Sequence, residues 1–426
     1  MKRHARPKHS RGAHYNGRRI FTKRFLASSR AVTVLATSLV AVGSIAVLTS
    51  PEASAERSIP LNVRDFGVQG SDPWGTAFDS SGRVWVAMPG CDPSPYCSSG
   101  TPPGKLGLFN PATDNWDATV QLPSGYGQPL FVAVDRSGEV WFTMPVTNSI
   151  GVYNPSNSTL REWTVPTANS GPWDLAIDST GKIWFTEHYV NQIGSFDPAT
   201  GSFFEIATPA TNSNPYGITV DASNNVWFTE NNAAVGLIAE YTRGGVLNEF
   251  KIRSAPVTGL TPHLITVDQA GNIWWSEGFV GAIARLNPAL AKPGTNDGVT
   301  EYFYGVNCGP SCFGSHTSGI AASRQGRIWF DDSLQNVFGS MPIGGGPFSI
   351  YSAPSDLGTN PHPHDGLNVD SDGRVWFDEE FANGLAEAIP PPGRQSSAKR
   401  PHRHADRPDG GSSPTGGRSQ SELRYQ

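Results

Sequence analysis

The chain has 426 residues, enough for one large or two ordinary domains, and its 47 Gly and 35 Pro against 16% charged residues exclude a mainly helical protein. The net charge of -5 is unevenly placed: ten Lys/Arg face one acid over residues 1–55, seven face three over 390–426, and 15 face 33 over 56–389. A central body near -18 repels nucleic acid and suits either a cationic ligand or plain solvation of a secreted surface.

Residues 1–55 read as an export signal. A basic stretch from Lys2 to Arg30 precedes the apolar run "AVTVLATSLVAVGSIAVLT", and "ASA" at Ala53–Ala55 offers a small-x-small cleavage site. The run is also long enough for an uncleaved membrane anchor. Four cysteines follow as two close pairs, Cys91/Cys97 and Cys308/Cys312. In an exported protein their proximity favours two local disulfides, 91–97 and 308–312, over a four-cysteine zinc site, whose spacing would differ.

Over residues 56–389 one unit recurs seven times. Its turn reads "DSSGRVW", "DRSGEVW", "DSTGKIW", "DASNNVW", "DQAGNIW", "SRQGRIW" and "DSDGRVW", ending on Trp85, Trp141, Trp184, Trp227, Trp274, Trp329 and Trp376. A short apolar strand such as "LAID" enters the turn, and a β-branched, aromatic strand such as "KIWFTE" leaves it, which is a hairpin signal. Third strands ("IGVYNP", "IGSFDP", "LIAEYT", "IARLNP") and fourth strands ("LREWTVP", "FFEIATP", "LNEFKI") follow. Four strands per unit without helical periodicity predict an all-β, seven-bladed β-propeller of four-stranded blades. The last copy ends at "GLAEAI" before a Pro-rich stretch, and "SIPLNVRDF" (Ser58–Phe66) is a strand without a blade. The N-terminal strand therefore closes blade seven and removes an exposed edge. Residues 390–426, rich in Pro, Gly, Ser and Arg, read as a disordered tail.

Because the D-x-x-G turns mark one side of the ring, the start of each first strand and the end of each second strand share the other. That side gathers Glu187, His188, Glu230, His263, Glu277, His316, Asp331, Asp332, His362, His364, Asp378, Glu379 and Glu380, and both cysteine-bearing insertions. Carboxylates among imidazoles can hold a divalent cation and leave a histidine as base. Glu187, Glu230 and Glu277 read first as acceptors for backbone amides that hold the blades. The repeated tryptophans read as core. Blades six and seven, densest in acids and histidines, are the candidate site.

The unit best seen in "GPWDLAIDSTGKIWFTEHYVNQIGSFDPATGSFFEIATP" resembles the virginiamycin B lyase (streptogramin lyase) family over residues 58–389. The resemblance implies a seven-bladed propeller that opens type B streptogramin depsipeptides by elimination, with magnesium polarising the ester and a histidine removing a proton. Carried over by position, the glutamate of the family's "W-F-T-E" falls on Glu379, and the base of its "E-P-H-G" loop falls on His364, with Asp365 interposed before Gly366. The place of that loop's metal glutamate is taken by His362 or Pro363, so His362 and Glu379 are the implied metal ligands. The substrate histidine falls on Ser318, with His316 two residues earlier, while a one-blade shift would use His263. Imidazole with carboxylate favours a transition metal over magnesium. The expected function is a metal-dependent lyase acting on a small cyclic ester or depsipeptide. A non-catalytic propeller binding a ligand or a surface protein and a lactonase-like hydrolase are the alternatives, and a monomer is expected in each.

Overall fold

The computed structural model describes residues 61–390 apart from 93–96, 98–99, 233, 253–260, 305–313, 355 and 359. The export segment, the tail from residue 391, and Cys308 with Cys312 lie outside the described residues. Seven four-stranded antiparallel sheets form seven blades, and no helix occurs among the described residues. Six blades run in sequence order from Thr76 to Ser352. The seventh pairs Asn368–Val369, Val375–Glu379 and Gly384–Ile389 with Asn62–Gly67, whose register sets Asn62 against Ile389 and Gly67 against Gly384. The ring is thus closed by the N-terminal strand, as the sequence predicts. Two blades contain strands the pattern does not announce. Lys105–Asn110 follows the cysteine insertion of blade one, and Val337–Pro342 with Ser349–Ser352 completes blade six. Cys91 and Cys97 are joined by a disulfide.

The repeat motif has a local physical cause. In blade three, Asp178 Oδ1 accepts the backbone N–H of Thr180 (2.8 Å) and Lys182 (3.1 Å), and Oδ2 accepts the indole N–H of Trp184 (3.0 Å). Gly181 takes a φ of 88°, which the turn requires and a Cβ would resist. The same indole-to-Asp bond joins Trp141 to Asp135, Trp227 to Asp221, Trp274 to Asp268 and Trp376 to Asp370. The aspartate therefore ties the turn to the core tryptophan and pairs the one polar group of the buried indole. Asp178→Ala is expected to lower stability by about 1–3 kcal/mol, since the indole donor stays buried without an acceptor. Denaturant unfolding followed by Trp fluorescence measures it, and an unchanged midpoint contradicts the assignment.

A second repeated bond joins neighbouring blades. In blades two to five the hydroxyl one residue before the end of the second strand donates to a carbonyl of the next blade, as Thr186 does to Tyr216 (2.7 Å), Thr229 to His263 (2.6 Å) and Ser276 to Ser318 (2.6 Å). These bonds fix where each first strand begins, and so position the site.

Candidate functional site

In blades three to six the first strand meets its second strand at one terminal pair and then slips. Pro215 faces Glu230, Pro262 faces Glu277 and Thr317 faces Asp332, and regular pairing resumes only three residues later. Such an irregularity frees a side chain from the ladder and re-aims it. The freed residues are Tyr216, His263 and Ser318, the same residues whose carbonyls the inter-blade hydroxyls hold. In blade seven the place belongs to Asp365. Asp378 Oδ1 accepts Gly366 N–H (2.8 Å) as Asp331 Oδ1 accepts Gly319 N–H (2.7 Å), which aligns Asp365 with Ser318. Asp365 is therefore a full member of the repeat rather than an inserted residue.

Tyr216 donates its hydroxyl to Asp365 Oδ2 (2.5 Å). Blades four and seven share no sheet edge, so this bond spans the centre of the ring. His263 Nε2 lies 3.2 Å from Asp365 Oδ1, close enough for electrostatic pairing but off the line of a hydrogen bond. His364 Nδ1 sits 3.9 Å from both Asp365 Oδ2 and Glu380 Oε2. His316 completes the cluster, its ring centroid 4.8 Å from that of His263 and 5.4 Å from that of His364, with Nδ1 held by the hydroxyls of Ser333 (3.0 Å) and Ser318 (3.2 Å). Aromatic rings wall the cluster. Trp74 meets His364 edge-on, Tyr216 packs on His263, Phe279 stacks on His316 and Phe381 stacks on His362.

Burial sets the charges. It lowers the pKa of His364 and pushes that of His316 well below the usual imidazole value, His316 also being held down by its neighbouring imidazoles, so both rings are neutral near pH 7. It raises Glu380 to about 9, with the carboxylates of Asp378, Asp92, Asp72 and Asp365 adding to the effect. Asp365 runs the other way. Its own burial opposes ionisation, but His364, His263 and the Tyr216 hydroxyl together hold it below the ordinary carboxylate range. The cluster thus sets a protonated Glu380 and an ionised Asp365 beside His364, each 3.9 Å from its Nδ1.

Residues 117–406 match the virginiamycin B lyase family. The chain belongs to this family. Among solved structures it is similar to a streptogramin B lyase at 23% identity and a TM-score of 0.64, covering 77% of this chain and 97% of that one. Selenomethionine-substituted virginiamycin B lyase from Staphylococcus aureus matches at 23% identity and a TM-score of 0.64 over 78% of this chain and 99% of that one. A catalytically inactive variant of the same enzyme with quinupristin gives 22% and 0.64 over the same shares. At such identity these structures establish the shared fold alone. No curated protein matches the chain.

Of the residues the family resemblance points to, His364, His316 and Ser318 come together at the ring centre. His362 stands beside them, 3.6 Å from Glu380 Oε2, with a φ of 52° held by its N–H to Asn336 Oδ1 (2.8 Å). Glu379 points elsewhere. Its carboxyl lies against Gly384 and Leu357, where a Cβ on Gly384 would collide with it, and burial with nearby Asp65 and Asp356 raises it to about 8. Glu380, one residue on, is the acid that faces the imidazoles. Tyr216 and Asp365 join the site from positions the resemblance does not assign, and His263, which it offers only under a one-blade shift, joins them. Aligning the residue before the first-strand glycine in blades four, six and seven would have found Tyr216 and Asp365.

The donors around the cluster do not suit magnesium, which takes oxygen ligands in near-octahedral array. Ligand atoms of His263, His316 and His364 lie within 4.8 Å of one another, the nitrogen set of a softer ion. Even that set is incomplete as a chelate. Asn231 Nδ2 donates to Pro262 O (2.9 Å) and to His263 Nδ1 (3.0 Å), which directs the ring hydrogen of His263 to Nε2 and leaves neither nitrogen a free lone pair. No step below is routed through a metal.

The expectation that Glu187 and Glu230 accept backbone amides is not met among the described residues: the groups that address their carboxyls are the side chains of Ser170 and Glu249. The amide acceptors in the blades are the turn aspartates instead.

Proposed function

We propose that the chain is a carbon–oxygen lyase that opens cyclic depsipeptide or lactone esters by elimination. The observation that carries this reading is the neutral His364 facing a protonated Glu380 at 3.9 Å, in a centre walled by Trp74, Phe279 and Phe381. Neighbouring groups whose pKa values are driven apart in this way suit base and acid roles. His364 Nδ1 is buried, which leaves Nε2 to meet a substrate. It takes the proton on the carbon next to a carbonyl. The electron pair becomes a C=C bond as the C–O bond breaks, releasing a carboxylate and no water. Glu380 donates a hydrogen bond to the carbonyl oxygen as enolate charge builds there, the task a metal performs in the reaction the family name implies. His316 and Ser318 contact the substrate beside it. An export signal over residues 1–55 would place this chemistry outside the cytoplasm.

The test is mass spectrometry of quinupristin and of simple lactones after incubation with the full chain. An opened ring of unchanged mass and altered retention is the expected result. A gain of one water would identify a hydrolase, and no product with either substrate class would leave a binding propeller.

A further inference from the structure

The turn that joins the second strand of each blade to the third lies on the side of the ring that holds the imidazoles. Its second residue stands five positions after the anchoring tryptophan. In three successive blades that residue is a large apolar side chain left open to solvent: Phe279 in blade five (41% exposed), Leu334 in blade six (49%) and Phe381 in blade seven (54%). Other blades fill the position differently. Gly90 in blade one has no side chain, and Val146 in blade two is half-buried. Asn232 in blade four is spent within its own blade, its Oδ1 accepting Ala234 N–H (2.9 Å) and its Nδ2 donating to Asn214 Oδ1 (2.9 Å). Tyr189 in blade three is exposed but packs against Trp173 and over Gly171, where a Cβ would meet its ring at 2.4 Å. Of the nine large hydrophobic side chains exposed among the described residues, four stand at this single position of the repeat, which ordinary scatter of surface apolar groups does not produce.

The arc of blades five to seven is continuous with the candidate site. Phe279 lays one face on His316 (ring centroids 4.9 Å apart, planes at 24°), and Phe381 lays one face on His362 (4.0 Å, 11°), while the rest of each ring stays open. The three turns read "GFVG", "SLQN" and "EFAN", with no Lys or Arg, and their one acid, Glu380, is directed at His362 and His364. An uncharged apolar arc thus flanks a polar centre, and a ligand group that covers it gains in proportion to the apolar surface taken out of water. We propose that Phe279, Leu334 and Phe381 form a specificity rim, which selects esters that carry an extended apolar substituent beside the reacting bond. This rests on the reading of the ring centre as the place where the ester is opened. The polar centre meets the ester itself, which small and large ligands share, and the rim meets what is attached to it. Because the rim touches no reacting atom, its contacts are alike in bound substrate and transition state, so they lower KM and leave kcat unchanged.

A homologous series of γ-lactones, with straight alkyl chains from methyl to octyl, separates this role from simple packing. Binding is read by titration calorimetry on the full chain carrying His364→Ala, so that heat of turnover does not intrude. Each methylene laid on the rim is expected to tighten binding by about 2–4-fold, with a heat-capacity change that grows more negative along the series. Adding Leu334→Ser and Phe381→Ser should cut that increment by about half or more, yet leave the methyl compound within about twofold of its parent affinity. The melting temperature should stay close to the parent value, since both side chains are exposed. Should the loss of Phe381 disturb His362, Leu334→Ser, outside the stacked pairs, carries the test alone and must still lower the increment. An affinity that does not change with chain length, an equal loss for methyl and octyl compounds in the variants, or no binding by any member overturns the proposal. With His364 restored, ring opening that ignores chain length overturns the rim and leaves the lyase reading standing. Chain-length-dependent binding that the variants flatten, with no ring opening, defeats the lyase reading and leaves the rim.

Discussion

Replacing His364 by alanine is expected to lower ring opening by about 10²–10⁴-fold while the chain still folds and still binds its ligand. The expectation follows from what the side chain does and does not hold up. Its Nδ1 has no hydrogen-bond partner, so removing the ring orphans no donor or acceptor in the core. Trp74 loses an edge-on neighbour 4.8 Å away, a modest packing loss, and Asp365 keeps its Tyr216 and His263 partners. What disappears is the lone pair that takes the proton. Activity should therefore fall far more than stability. Added imidazole, able to enter the space left by the ring, should restore part of the rate in His364→Ala and none in His364→Phe. His316→Ala, by contrast, should raise KM more than it lowers kcat, since His316 is anchored through Ser333 and Ser318 and presents a binding surface under Phe279. A His364→Ala enzyme with a rate within tenfold of wild type would remove the base from His364.

The fold was legible because five of the seven blades write their turn in full and the other two depart from it at one position each. A D-x-x-G-x-[IV]-W string specifies an aspartate cap, a left-handed glycine and a buried indole, and these three features need one another at fixed offsets. The turn does not report the outer strands: blade one carries it in full and blade six has Ser323 in place of the aspartate, yet the third strands of both, Lys105–Asn110 and Val337–Pro342, lack the pattern seen in blades two to five. The site was legible only as a neighbourhood. The motif located blade seven and His364, but contacts across the ring centre depend on residues 149 positions apart, as Tyr216 and Asp365 are, and no local pattern reports them. The displacement from Glu379 to Glu380 has the same origin. Alternation along a strand gives the two acids opposite faces, and only the end of the ladder decides which one meets the imidazoles.

Thermal stability is expected to be greatest on the acid side of neutrality and to decline steeply as the pH rises toward 8, an unusual direction for a chain with so many carboxylates. Glu187, Glu230 and Glu277 close the second strands of blades three, four and five, wholly buried, and each is raised to about 8 by burial first and then by a carboxylate of the fourth strand: Glu205, Glu249 and Glu301. Glu379 repeats the arrangement in blade seven with Asp65 of the closing strand. The unfolded chain releases these protons near the ordinary glutamate value of about 4.3, while the folded chain keeps them to about 8. Between those limits the folded state binds more protons, so stability is fully present below the unfolded pKa and is lost as pH rises through the folded one. Each fully retained proton contributes a slope of up to ~1.4 kcal/mol per pH unit. At the acid end Asp135 and Asp178, lowered by their hydroxyl, indole and amide donors against the opposing pull of burial, set the opposite limb, losing their contribution as pH falls through their folded values. The triple variant Glu187→Gln, Glu230→Gln, Glu277→Gln should therefore lose less of its melting temperature than wild type as pH rises to 8, the slope between 5 and 8 falling by the part these three carboxyls supply, as scanning calorimetry across that range would record. Adding Glu379→Gln distinguishes two roles for that residue. As a fourth protonated carboxyl it flattens the curve further and leaves turnover intact, whereas as a metal ligand it would cost turnover and leave the curve where the triple variant put it.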